Sequence, residues 1–190
     1  MIAGDPVHLT QRTFRALLAA LAHPGRIVPI DETVDAPAGV GAALAAAALT
    51  LLDRDVGVWL APHAAETIGA WLVALTRCRV TCSPADADFA LILEPRDALP
   101  LEQWNPGTLL DPEGSVTLLV ALEALSGGFA TQLTGPGIER SVSIAPRGLP
   151  HRFWPQWAAN AERYPRGVDC FFFDARGVMG LPRTAVKGLG

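Results

Sequence analysis

Three short stretches of this sequence hold the groups best suited to grip an anion. The first runs from Ser126 to Arg140. It opens on Ser126-Gly127-Gly128 and closes on Thr134-Gly135-Pro136-Gly137, with Arg140 three residues further on. Paired glycines allow positive φ and leave backbone N–H groups uncovered, and successive exposed N–H groups form a concave anion site. The second stretch is Pro165-Arg166-Gly167-Val168-Asp169, and the third is Leu181-Pro182-Arg183-Thr184. Arginine meets phosphate or carboxylate through two parallel N–H donors, so Arg140, Arg166 and Arg183 are the natural anion ligands. The candidate binding residues are therefore Thr134, Gly135, Gly137, Arg140, Arg166, Asp169 and Arg183. Each stretch has a second arrangement. The glycine turns can simply bound a sheet strand, and Arg166 or Arg183 can pair with Asp169 and lock the ends of a hairpin.

The elements that must position these groups follow from hydrophobic period. Asp5-Pro6 is a helix start, with Asp as cap and Pro in the first turn. Phe14, Leu17, Leu18 and Leu21 then fall on one helical stripe, and Pro24-Gly25 ends the helix with His23 at its C-terminus. Ile27 to Ile30, interrupted by Pro29, reads as an edge strand. Gly39 to Leu52 is Ala-rich and reads as a buried helix. Val56 to Ala61 is a strand, and Ala64 to Thr76 is an amphipathic helix with Ile68, Trp71, Leu72 and Leu75 in register. A short strand is placed at Val80. Asp88 to Leu93 and Val116 to Leu122 are apolar on both faces, which suits strands inside a covered sheet. Arg96 to Gly114 reads as a long surface connection. Ala130 to Leu133 and Val142 to Ile144 are short strands, and Trp154 to Arg163 is a helix. Val168 to Phe173 turns through Asp174-Ala175-Arg176-Gly177 into a return strand ending at Pro182. The tail from Lys187 reads as loose. Helices alternating with doubly apolar strands predict an α/β fold, a three-layer αβα sandwich around a central mixed sheet. The 190 residues read as a single domain, residues 1–190.

Composition narrows the function. Half of the residues are apolar and the net charge is −4, so a general nucleic-acid binder is disfavoured. The N-terminus lacks the basic-then-apolar pattern of a signal peptide, and the longest apolar run is too short to span a bilayer. A cytoplasmic, non-membrane protein is expected. Cys78, Cys82 and Cys170 are three in number and spaced unlike a zinc or redox motif, so reduced thiols are expected. Several familiar sites fail on inspection. The only lysine, Lys187, is followed by Gly188, which excludes a P-loop and leaves no mid-chain lysine for a pyridoxal phosphate Schiff base. Gly39-Val40-Gly41-Ala42-Ala43-Leu44 has Leu44 where a dinucleotide fingerprint needs its last glycine. No Gly-x-Ser-x-Gly elbow occurs. His63-x-x-Glu66 lacks further ligands, so no metal is expected. Trp154 and Trp157 either pack in the core or mark a partner surface.

The stretches that carry these groups also resemble one family. Ser-Gly-Gly followed by Leu-Thr-Gly-Pro-Gly-Ile, then Pro-Arg-Gly-Val-Asp and Leu-Pro-Arg-Thr, resembles the PhnH family, the H subunit of the carbon–phosphorus lyase system. The likeness extends to Phe14-Arg15 through Pro24-Gly25, to Leu52-Asp53-Arg54-Asp55 with Val58-Trp59-Leu60, and to Pro112-Glu113-Gly114 before the central strand. Val56-Gly57 departs from a Thr-Pro-like pair. The resemblance implies a fold distantly similar to pyridoxal-phosphate-dependent transferases but without the cofactor. It implies a homodimer that joins the G, I and J subunits in a cytoplasmic complex. It implies a role in ATP-dependent phosphonate activation, in which adenine is released and ribose 1-phosphonate 5-triphosphate is formed. The role expected for this chain is assembly rather than catalysis, with no catalytic residues assigned. The alternative is an arginine-lined site for phosphate, phosphonate or an ATP-derived substrate.

Overall fold

The structure is a computed structural model and describes residues 5–188. The reading of the extreme N-terminus, residues 1–4, lies outside the described residues.

Helix α1 (Pro6–Ala22) starts as expected. Asp5 Oδ1 accepts the Val7 N–H at 2.9 Å, and Pro6 occupies the first turn. Strand β1 (Ile27–Pro29) lies at a sheet edge, the one place where proline costs no ladder bond. Helix α2 (Ala42–Leu51) follows. Its residues Ala43 to Ala48 are buried on every side. Strand β2 (Gly57–Leu60) leads to a short helix α3 (Pro62–Ala65) and then α4 (Thr67–Thr76). Strands β3 (Arg79–Thr81), β4 (Phe89–Ile92) and β5 (Thr117–Ala121) complete the first half. The second half holds β6 (Thr131–Thr134), β7 (Val142–Ile144), α5 (Phe153–Ala161), β8 (Asp169–Phe173), β9 (Gly177–Leu181) and β10 (Val186–Lys187).

Seven strands form a mixed sheet in the order β1-β9-β8-β5-β4-β2-β3. Strands β2, β3, β4, β5 and β8 are parallel, and β9 runs antiparallel to both of its neighbours, β8 and β1. A three-stranded sheet, β10-β6-β7, stands apart. Strand period decides the two cores. Leu91, Leu119, Phe171 and Phe173 face α1, α2 and α4, whereas Ala90, Ile92, Leu118, Val120, Cys170 and Phe172 face the opposite layer. That opposite layer is only partly helical. It consists of α5 through Phe153 and Trp157, the small sheet through Leu133 and Ile144, and the 101–104 segment through Leu101 and Trp104.

Four expectations are corrected. The buried stripe of α1 is Leu9, Thr13, Leu17 and Ala20, and Phe14 and Leu18 point to solvent. Small residues face inward because the helix seats closely on its neighbours: a Cβ at Gly180 would lie 2.5 Å from the Ala20 carbonyl oxygen. The helix expected over 64–76 is two helices that meet at Glu66, and Leu75 is exposed. The 96–114 connection is anchored in the core rather than lying on the surface, since Trp104 is 1% exposed and packs edge-on against Trp59 at 5.1 Å. The tail is tied down as far as Gly188. Val186 and Lys187 pair with Thr134 and Leu133, and the Gly188 N–H donates to Gln132 at 2.9 Å.

Candidate functional site

The expected binding arginines occupy two separate places, Arg166 and Arg183 at one and Arg140 at the other. Arg166, Asp169 and Arg183 gather at the amino end of β8, where β9 finishes. Here the pairing arrangement is the one adopted. Arg183 donates its backbone N–H to Asp169 Oδ1 at 2.7 Å, and its Nη2 reaches Asp169 Oδ2 at 2.5 Å. Nη2 also donates to Ser115 Oγ at 2.6 Å, and Nη1 to the carbonyls of Pro112 at 2.8 Å and Pro165 at 3.3 Å. Nε faces both Asp169 oxygens at 3.2 Å, so all three guanidinium nitrogens have acceptors within the protein, and the side chain is only 12% exposed. Arg166 is exposed, and no ion pair or side-chain hydrogen bond engages it among the described residues. This cluster sits at the amino edge of the parallel strands, whereas open α/β sheets bind ligands beyond the carboxyl edge.

Thr134 ends β6 opposite Val186, and Gly135 rests against the Thr184 carbonyl, next to Arg183, whereas Gly137 and Arg140 lie further along the turn, at the end of α1. Gly137 has φ +80°, and a Cβ there would come within 2.3 Å of the Ala22 carbonyl oxygen. Glycine is thus required for the turn to rest on the end of α1. Arg140 shares a cavity of about 530 Å3 with His23, Arg26, Glu139 and the rest of the 137–142 segment. Neither Arg166 nor Arg183 lines it. The cavity adjoins the C-terminal end of α1, whose partial negative charge favours cations such as His23, Arg26 and Arg140.

Two further hollows lie outside these residues, and the second is lined by Gly127 and Gly128, which open the first expected anion stretch. One, of about 580 Å3, lies at the carboxyl ends of β4, β5 and β8 and is walled by Gly39 and Gly41 before α2. Its charged side chains are Glu94, Glu123 and Asp174 with Arg96. Asp174 is occupied in shaping its turn, accepting N–H groups from Leu125, Arg176 and Gly177. The other is a groove of about 730 Å3 between the Gly127–Phe129 loop and the start of α5.

The thiols do not cooperate. Cys78 and Cys170 are buried in cores on opposite sides of the sheet, and Cys82 is exposed. Burial, with Asp169 nearby, pushes the Cys170 thiol well above its ordinary range. His63 Nε2 faces Asp97 Oδ2 at 3.5 Å. No group of three potential metal ligands occurs among the described residues, and no helix among them is long and apolar enough to cross a membrane.

Residues 3–187 match the family described as bacterial phosphonate metabolism protein (PhnH). The chain belongs to the PhnH family. A relative from Rhizobium meliloti (strain 1021), named alpha-D-ribose 1-methylphosphonate 5-triphosphate synthase subunit PhnH, is 40% identical over 95% of this chain and 91% of its own length. A Stutzerimonas stutzeri protein named as a C-P lyase subunit protein, HtxG, is 29% identical over 92% of this chain and 83% of its own. Within this PhnH fold, the residues that sequence reading missed are Phe129, Arg147, His151 and Lys187, which share the third hollow with Trp154. Arg147, His151 and Trp154 lie within eight residues of one another, a spacing that could have joined them, whereas Phe129 and Lys187 reach the groove only through tertiary packing.

Proposed function

We propose that this chain is a non-cleaving subunit of a carbon–phosphorus lyase system, needed for the ATP-dependent step that joins a phosphonate to ribose with release of adenine. It acts by assembly, as a homodimer that joins the G, I and J subunits in the cytoplasm. The observation that carries this reading is the 40% identity, along nearly the whole chain, to a protein named as a synthase subunit. Two features of the chain support it. The most elaborate polar cluster, around Arg183, is turned inward on the protein's own acceptors. The three cysteines are too scattered to hold an iron–sulfur cluster, which a subunit cleaving the carbon–phosphorus bond by radical chemistry would need. Co-expression with the G, I and J partners, followed by sizing, tests it. Co-elution in one large assembly is expected, and elution of this chain alone overturns the assembly role.

One observation favours a second role on top of assembly. The Arg140 cavity places two arginines and a histidine beside the Gly137 turn, and although Glu139 shares its wall the excess of cationic groups suits a phosphate or phosphonate group. Arg140→Ala in the assembled complex is expected to lower activity, and unchanged activity overturns this reading.

A further inference from the structure

The groove between the Gly127–Phe129 loop and α5 has a composition unlike the rest of the molecule. The chain carries a net charge of −4, yet this groove is lined by Arg147, His151 and Lys187 and by no carboxylate. Lys187 is the only lysine in the sequence. Its backbone is fixed by pairing with Leu133, and its side chain is exposed. Among the described residues, neither Lys187 nor His151 has an ion pair or a side-chain hydrogen bond. Arg147 meets Glu123 at 2.9 Å, but both side chains are more than half exposed, so that pair is weak and easily exchanged.

The same groove holds two aromatic rings. Phe129 is 88% exposed, an unusual state for a phenylalanine in a folded chain. Trp154 is half-buried and its orientation is set by Phe153, whose ring meets it edge-on at 5.2 Å. Phe153 is itself stacked on the buried Trp157 at 5.8 Å. Between these rings and the cations runs the Gly127-Gly128 backbone. Gly127 has φ +84°, and a Cβ there would meet nothing within 4 Å, so its backbone borders open space.

A flat ring and a string of negative charges are what these groups complement. We propose that this groove binds a nucleoside polyphosphate. The base lies against Trp154 and Phe129, and the phosphates are held by Lys187, His151, Arg147 and the backbone at Gly127. Stacking on an aromatic side chain tolerates any base, so the groove selects the class and not one nucleotide. The site is distinct from the Arg140 cavity, and the inference does not depend on the subunit reading.

Calorimetric titration of ATP into the purified full chain tests it, with adenosine and inorganic triphosphate as parallel probes. Saturable uptake of ATP is expected, tighter than that of either probe. Lys187→Ala and Trp154→Ala are each expected to weaken it by about tenfold. Trp154→Phe, which keeps a ring and the helix, restores most of the loss. Arg54→Ala, which removes an exposed arginine outside the groove, leaves ATP affinity unchanged. Absence of ATP uptake at millimolar concentration, or wild-type affinity in both Lys187→Ala and Trp154→Ala, overturns the site. Equal affinity for triphosphate and ATP overturns the contact with the base.

Discussion

Arg183 and Asp169 close the open end of the β8–β9 hairpin. Asp169 begins β8 and Arg183 lies two residues beyond β9. One carboxylate accepts both the backbone N–H and the guanidinium of the arginine, at 2.7 Å and 2.5 Å. The rest of the guanidinium reaches Pro112, Ser115 and Pro165, so one side chain joins the hairpin to the connection before β5 and to the turn after α5. A planar fork with five donors makes this possible, and an ammonium could not reproduce it.

Removing that fork leaves Asp169 with only the backbone N–H of residue 183 and takes a donor from the Pro112 and Pro165 carbonyls. Arg183→Ala is expected to lower stability by roughly 3 kcal/mol, the scale of breaking a largely buried ion pair. Arg183→Lys recovers part of that but not all. Denaturant midpoints of the three proteins check the order. A wild-type midpoint for Arg183→Ala would mean that the network is not a structural latch.

Gly128 and Gly127 make a matched pair for a test of loop packing. A Cβ at Gly128 would lie 2.3 Å from the Pro146 carbonyl oxygen, in a segment held by the Gly128 N–H bond to Ala145 at 2.8 Å. Gly128→Ala therefore forces the loop off its neighbour, at a cost of about 1–3 kcal/mol. Gly127→Ala meets no atom, and only its positive φ opposes the change, by about 1 kcal/mol. Thermal melts of both variants check the ranking, with Gly128→Ala the less stable.

Acid sensitivity has a local source at Glu32. Arg12 Nε and Nη2 grip the Glu32 carboxylate at 2.6 and 2.9 Å, and this hydrogen bonding holds the Glu32 carboxyl below its ordinary range. The group binds its proton more weakly folded than unfolded. The pair thus supports the fold at pH above about 4, the unfolded carboxyl's range, and that support fades as pH falls through the lower folded value. Glu32→Gln is expected to flatten this acid limb of the stability–pH curve. An unaltered limb in the variant would contradict the assignment.

The sheet was legible in the sequence because its strands are apolar on both faces and alternate cleanly. Phe89, Leu91 and Leu93 against Ala90 and Ile92, and Phe171 and Phe173 against Cys170 and Phe172, divide between the two cores as their period requires. The face of α1 was less legible. Phe14 and Leu18 carry more apolar surface than Thr13 and Ala20, yet close contact with the sheet selects the small residues. Trp104 was missed as a core residue because a single large side chain in a Pro- and Gly-rich stretch has no period to reveal it. Arg183 and Asp169 were legible as a pair, since a hairpin brings its ends together, but Pro112 and Ser115 join them only through tertiary contact. The separation of Arg140 from Arg166 and Arg183 is likewise set by packing, because the turn that bears Arg140 rests on the end of α1.

The most direct test of the assembly role is reconstitution of the phosphonate-activating step from purified partner subunits, with and without this chain. Adenine release from ATP in the presence of a phosphonate is the readout. The account predicts release only when this chain is present, restored to the wild-type rate by the catalytically neutral Cys82→Ser variant. Undiminished release by the partners alone would contradict it.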